Sequence, residues 1–470
     1  MLMLKIAARN LFRNTRRSVT TLATITIGAA AVMVFGAYIT YIQYGVQTNA
    51  VQQTGHLQVF RSGYFTFGTA SPGAWGIDRY STVLSLIRND PTLRRLSAVV
   101  TPIQSVAGIA GNFENNTSKT FFGVGFVPSD RDRMKQWNEY GTEPRGLTHS
   151  GLNDDDLSRG ITGRGLVRIL GLCNRLHLDD CSQAPQPASS PSEFEGEDAP
   201  GRAANLADLA SRDKPQGDAA TNVNPTIDLL AATAGGAPNV VSLQVANVEI
   251  QPFKELDDNY VGMNIGLAQD LIYGRGEHKA TGIVLQLHRT EDLGAARARL
   301  VSLFREHALD LEVRDFTDLN PQYNQIIGLF RSIFSFITLI IGIVVLFTVS
   351  NAMSMSVIER TAEIGTTRAM GVRRQGIREQ FLVEGSVIGA IGATIGVFVA
   401  QLVAFGVNHA GLTWTPPGAG GPVPLRLYAN GVDALVVLTW IGLLVVSAAA
   451  ALIPANRAAR MPVVDALRHV

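Results

Sequence analysis

Cysteine is nearly absent: Cys173 and Cys181 are the only two in 470 residues, and they lack both C-x-x-C spacing and a neighbouring ligand set beyond His177. That argues against a metal or redox centre. Charge is scarce as well, at 17% of the chain. It is missing altogether from residues 18–60, 332–358, 385–425 and 434–456. Each gap contains an apolar stretch long enough to cross a membrane, which takes ~20 residues. These gaps exclude a simple soluble enzyme. No excess of one sign exists either, since 40 Lys and Arg face 39 Asp and Glu. A nucleic-acid binder would show a concentrated basic surface. Finally, no H-E-x-x-H and no G-x-S-x-G occurs, and the eight histidines are scattered. The carboxylate runs Asp154-Asp155-Asp156 and Asp257-Asp258 read as solvated loop groups rather than acid/base pairs, so neither a catalytic residue nor a metal site is expected.

What charge there is reports topology. Lys5, Arg9, Arg13, Arg16 and Arg17 precede the first apolar stretch with no acid among them. Arg360, Arg368, Arg373, Arg374 and Arg378 lie between the second and third stretches, and Arg457, Arg460 and Arg468 follow the fourth. The positive-inside rule places all three groups in the cytoplasm. The first apolar region is too long for the ~7–15 residues of a signal-peptide core, so it reads as a retained anchor. The expected fold class is therefore an α-helical membrane protein with four transmembrane helices plus a large extracytoplasmic α/β domain. Its expected parts are a cytoplasmic amphipathic helix (1–18), spans at 19–44, 326–357, 381–408 and 432–455, and a cytoplasmic segment at 358–380. An external loop (409–431) and a cytoplasmic tail (456–470) complete the frame, with both termini inside.

The external domain, residues 45–325, is mildly acidic. Residues 46–325 hold 25 Lys and Arg against 33 Asp and Glu. Strands are expected at residues 56–60, 98–110 and 120–127 and a helix at 82–88. Alternation at Val241, Leu243 and Val245, and again at Ile283, Leu285 and Leu287, predicts further strands. Leu293, Ala296, Leu300, Leu303 and Phe304 follow at helical spacing before Leu311 and Val313 alternate once more. Two α/β halves are the simplest arrangement. Between them, residues 182–224 are poor in large apolar side chains and read as a flexible insertion. Cys173 and Cys181 lie in this domain, where an oxidising compartment predicts a local structural disulfide.

The most informative segment is residues 354–384, in which acids and arginines alternate around three glycines between hydrophobic helices. Glu359 and Glu363 are one helical turn apart, as are Arg374 and Arg378, so a helix is expected to leave the membrane and break near Gly371. This segment closely resembles the ERxxEIGxxRAxGxxRxxI…E motif of FtsX-like, MacB-type ABC transporter permeases. Glu359, Arg360, Glu363, Ile364, Gly365, Arg368, Ala369, Gly371, Arg374, Ile377 and Glu384 stand at its positions. Residues 1–18 and 454–468 resemble the ends of the same family. In the external domain, residues 55–60 and 254–272 are more similar to the lipoprotein-releasing LolC and LolE branch.

The resemblance implies a permease in the bacterial inner membrane whose cytoplasmic helices dock on a separate ABC ATPase subunit. Glu359, Arg360, Glu363, Ile364, Gly365, Arg368, Gly371 and Arg374 would form the coupling face. ATP and Mg would be bound by that partner, since no G-x-x-x-x-G-K-[ST] occurs here to cradle a phosphate. Further partners implied are a second permease subunit, identical or related, a periplasmic adaptor or lipoprotein carrier, and membrane lipid, with no nucleic acid. The expected work is mechanical release or export of a lipoprotein or other hydrophobic substrate. The alternative is a mechanotransmitting scaffold that activates a cell-wall hydrolase or sensor without transport. Trp414, Pro416 and Pro417 read either as a stiff turn or as an outer gate. Gly385, Gly389, Gly392 and Gly396 form a small-residue stripe that serves either packing within the subunit or a dimer seam. Glu384 is expected to snorkel or to pair with an arginine such as Arg378.

Overall fold

The computed structural model describes residues 15–142, 148–178, 225–274, 278–415, 422–428 and 433–463. The expected helix over 1–18 (up to residue 14), the insertion at 182–224, Cys181, Pro416, Pro417 and tail residues 464–470 lie outside these. Among the described residues, four helices are long and apolar enough to cross a membrane: α1 (Thr15–Thr54), α8 (Pro321–Glu359), α10 (Arg374–Ala410) and α11 (Asp433–Arg460). The first has 40 residues and the second 39. At ~1.5 Å per residue each is close to 60 Å long, about twice the ~30 Å of a hydrocarbon core. Both therefore run on as stalks into the α/β domain. Hydropathy alone hides this, because the last turns of α1 carry Gln47, Thr48, Gln52 and Gln53, which look like loop residues. Gln47, Thr48 and Gln52 are buried against the domain.

The domain is one nine-stranded sheet that serves two subdomains. Strand β1 (Leu57–Arg61) follows α1 at once and lies between β8 (Gly282–Leu287) and β9 (Leu311–Asp315), antiparallel to both. Strand β2 (Ser97–Asn112) pairs with β8 over residues 97–103 and with β3 (Thr117–Phe126) over residues 103–112. Its 16 residues thus cross from one subdomain to the other. In the second subdomain β2, β3, β7 (Tyr260–Asn264), β4 (Arg159–Gly163), β6 (Pro238–Glu249) and β5 (Thr226–Ala232) pair in a ring that returns to β2. A closed ring has no edge left for another chain to extend.

The two expected halves are real as elements but not as sequence neighbours. β1 and helices α2 (Tyr80–Asn89) and α3 (Pro91–Leu96) come from the leading part; β8, β9 and α7 (Leu293–Glu306) come from the trailing part. All share one core, in which Leu57, Val59, Ile87, Leu93, Leu285 and Leu300 are fully buried. The ring has its own core around Phe121, Leu229, Leu243 and Met263, covered by α5 (Arg164–Ile169) and α6 (Ile265–Tyr273). Helix α4 (Pro128–Lys135) joins the ring to α1: Arg131 donates to the carbonyls of Gln52 and Gln53 at 3.3 and 3.0 Å, which offsets the negative end of that helix. Cys173 is buried and disulfide-bonded.

In the bundle, the glycine stripe on α10 packs inside the subunit. A Cβ on Gly385 would meet Ala451, and one on Gly389 would lie 2.6 Å from Ser447 Cβ, both on α11. Gly392 and Gly396 face Ile25, Thr26 and Ala29 on α1 in the same way. Thr26 Oγ1 also donates to the Gly392 carbonyl at 3.3 Å. Close backbone approach replaces the hydrophobic drive that lipid cannot supply. Gly396→Val should lower stability by about 3 kcal/mol, because its Cβ would sit 2.8 Å from the Thr26 carbonyl oxygen. Gly406→Val on the same helix faces open space and should be nearly neutral. Thermal unfolding of the two variants in detergent checks this; equal midpoints would refute the packing assignment.

Candidate functional site

The site is the reversal between α8 and α10, at the end of the bundle opposite the α/β domain. Helix α8 does not run straight to Gly371. It stops at Arg360, whose backbone leaves the helical region (φ −107°, ψ 17°), and a separate helix α9 (Thr361–Ala369) follows. The cause is visible in the side chain. Arg360 turns inward and donates to both oxygens of Glu384 on α10, at 3.3 and 3.1 Å, with both residues buried. Glu384 thus pairs with Arg360 rather than Arg378, and Arg360 belongs to the interior instead of an exposed coupling face. Both bonds come from one guanidinium nitrogen, Nη1, which straddles the carboxylate.

Helix α9 ends in a Schellman turn. Gly371 N–H bonds the Arg368 carbonyl at 3.0 Å and Val372 N–H bonds the Thr367 carbonyl at 3.3 Å, with Gly371 at φ +94°. A residue with a Cβ resists that conformation. The chain then re-enters the bundle as α10, capped by the extended Arg373.

The remaining predicted residues divide between an inner and an outer side of this turn. Ile364 and Gly365 are buried, and Ile364 packs with Ile377, Phe381 and Ala458 in the bundle core. Arg368 is half-buried and donates to the carbonyl of Met461 beyond α11, so it ties the turn to the fourth long helix. Glu359, Glu363 and Arg374 are exposed. Met370 and Val372, on either side of the glycine, are also exposed, at 78% and 41%. The motif does not flag these two; the available signal is a pair of apolar residues bracketing a turn glycine in a charged segment. Together they make a projecting tip, apolar at its apex and charged at its flanks, on a base locked at two points.

At the other end, the foot of the α/β domain, sits a polar cluster that sequence patterns did not reveal. His56 is fully buried between α1 and β1. Its Nδ1 accepts from Leu287 N–H at 3.0 Å, so Nε2 carries the proton and donates to Thr290 Oγ1 at 3.2 Å. Thr290 in turn donates to Glu139 at 2.8 Å, and Gln47 and Tyr140 also meet its hydroxyl. Burial pushes the His56 pKa down to about 3. Asp257, expected in solvent, is also buried. It accepts from the backbone N–H groups of Arg164, Gly165 and Gln251, at 3.2, 2.7 and 2.8 Å, and so caps α5. Burial still raises its pKa, which those bonds only oppose. Trp414 is 42% exposed and pairs with Val423 in a two-residue ladder. Among the described residues, no group of three or more His, Cys, Asp or Glu could hold a metal.

Residues 332–463, which contain this turn, match the FtsX-like permease C-terminal family. The chain is 29% identical over 194 residues to the macrolide export ATP-binding/permease protein MacB of Neisseria gonorrhoeae, covering 41% of this chain and 28% of that protein. It is 30% identical over 195 residues to the protein of that name from Neisseria meningitidis serogroup A, covering 41% and 28%. The chain therefore spans less than a third of the length of these curated relatives. Among solved structures, the periplasmic region of MacB from Actinobacillus actinomycetemcomitans is similar with a TM-score of 0.31 and 12% identity, over 58% of this chain and 94% of that one.

Proposed function

We propose that this chain, which carries an FtsX-like permease domain over residues 332–463, is the membrane subunit of a bacterial ABC transporter driven by an ATPase on a separate chain. It resides in the inner membrane with both termini cytoplasmic, a reading that the arginine distribution supports. The α/β domain then faces the periplasm. The observation that carries the reading is the exposed Met370–Gly371–Val372 tip on a base fixed by Arg360–Glu384 and Arg368–Met461. An apolar apex ringed by charge is what a docking knob needs: the apex gives affinity and the rim gives register. The locked base passes displacement instead of absorbing it.

The work is mechanical. Nucleotide binding in the motor would draw the tips together, and the stalks α1 and α8 carry that motion to the α/β domain. That domain expels or releases a lipoprotein or another hydrophobic substrate, working with a second permease subunit and a periplasmic carrier or adaptor. Apart from the Arg360–Glu384 pair, a bundle interior dominated by close-packed glycine, alanine and larger apolar residues supports a stroke rather than an aqueous path.

The test uses the complex purified with its native ATPase in nanodiscs. Met370→Asp combined with Glu363→Lys should cut permease-stimulated ATP hydrolysis at least about tenfold, as loss of an interface anchor does. Insertion and thermal midpoint should not change, since both side chains point away from the core. Arg368 is a poor choice for this purpose because its substitution also frees the Met461 carbonyl. Glu114→Ala, in the distant ring subdomain, should have no effect. Wild-type stimulation by the double variant would overturn the coupling assignment.

A further inference from the structure

The loop between α10 and α11 returns over the end of the bundle nearest the α/β domain, and its residues 425–428 are fixed on three sides. Leu425 N–H bonds the Leu412 carbonyl at 2.7 Å. Leu427 is held to α10 by a two-way amide clamp: its N–H donates to Asn408 Oδ1 at 2.8 Å and its carbonyl accepts from Asn408 Nδ2 at 3.0 Å. Its side chain is buried between Ala37 of α1 and Ala404 of α10. Tyr428 N–H reaches the Ala37 carbonyl at 3.3 Å.

The third attachment leaves the bundle. The Tyr428 hydroxyl donates to the carbonyl of Tyr140 in the α/β domain. The Tyr140 ring stacks flat on Tyr44 of α1, with centroids 4.1 Å apart and planes 2° from parallel, while Tyr428 meets Tyr44 edge-on at 5.5 Å. Tyr140 also belongs to the polar cluster around Thr290.

We propose that residues 425–428 are a strap that ties α10 to the 137–142 segment of the α/β domain. The domain would then sense not only the two stalk helices but also the position of the third long helix. Two independent contacts must act in series for this to hold: Asn408 to Leu427, and Tyr428 to Tyr140. Among the described residues Asn408 is hydrogen-bonded to Leu427 and not to residues 137–142, so the strap is the hydrogen-bonded route between them, alongside the packing of α10 on α1. A tether of this kind removes the play between bundle and domain. In transport terms it deepens the mechanical reading given above and rests on it, whereas the linkage itself is a property of the resting protein.

Hydrogen exchange of the intact protein in nanodiscs, without nucleotide or partner, tests it. The reporter is the 137–142 segment, where Trp137, Gly141 and Thr142 N–H groups are bonded. The reference is β8, which lies in the sheet core. Tyr428→Ala should speed exchange at 137–142 by about tenfold while β8 stays protected. Asn408→Ala should do the same, although the substitution is on another element, and Tyr428→Phe should show a smaller increase. If Asn408→Ala leaves 137–142 unchanged, Tyr428 is a local contact and the strap is refuted; no change in either alanine variant refutes it as well. Because no motor is present in the assay, failure of the ATPase assignment would not alter these rates.

Discussion

Glu384→Ala is expected to destabilise the bundle by about 3–5 kcal/mol, the usual result of removing one partner from a buried ion pair. Arg360 is 8% exposed and would lose the carboxylate to which it donates at 3.1 and 3.3 Å. The cost comes mainly from the charge left behind in a water-poor site, and less from attraction forgone. Substituting both residues, as Arg360→Met with Glu384→Met, should therefore cost far less than the two single changes summed, since apolar groups of similar volume need no solvation. Yet the double variant should couple poorly to a motor, because the break between α8 and α9 then loses its polar tie to α10. Thermal unfolding in detergent and stimulated ATPase activity separate the two effects. A Glu384→Ala protein as stable as the parent would mean that the pair is solvated, and the locked-base account would fall.

That pair shows where sequence reading succeeds and where it stops. The motif drew attention to Arg360, Arg368 and Glu384, because alternating acids and arginines between two apolar helices stand out in the sequence. It could not assign their directions. Arg360 and Arg368 look equivalent as letters, but one points into the core toward a helix 24 residues away and the other toward the chain beyond α11. Pairing partners distant in sequence leave no local periodicity to read. The small-residue stripe had the same limit: spacing put Gly385, Gly389, Gly392 and Gly396 on one face, and only the fold shows α1 and α11 against it.

The α/β domain was legible in part: β1, β2, β3, β6, β8, β9, α2 and α7 show in local alternation and helical spacing, whereas β4, β5 and β7 were not read. Its topology was not. β1 is paired with strands more than two hundred residues later, and β2 is shared by two subdomains. Gln47 and Gln52 on α1 read as loop chemistry because they are polar, yet they are buried where the stalk meets the domain. Buried polar residues defeat hydropathy because their partners, here Tyr140, Thr290 and the Trp137 carbonyl, lie on other elements.

The same junction should make the protein acid-sensitive through His56. Burial lowers its folded-state pKa to about 3, against an ordinary value near 6.5. Above pH 6.5 the ring is neutral in both folded and unfolded chains, and its contribution is complete. As pH falls from 6.5 toward 3, the unfolded chain takes up a proton that the folded one refuses, so stability declines with pH across that window. At ~1.4 kcal/mol per pH unit the full loss is on the order of 4–5 kcal/mol. Geometry explains the refusal. Protonation needs a hydrogen on Nδ1, which now accepts from Leu287 N–H, so the charged ring would break a bond at the end of β8 inside the core. His56→Gln can keep both bonds, with the amide oxygen accepting and the amide nitrogen donating, but cannot titrate. It should match the parent at pH 7 and lose the slope between pH 6.5 and 4. Trp137 reports the event directly, as its ring meets His56 edge-on at 5.0 Å. Denaturation followed by tryptophan fluorescence at a series of pH values should thus separate the two proteins progressively on acidification. Parallel curves for parent and variant would show that the acid response arises elsewhere.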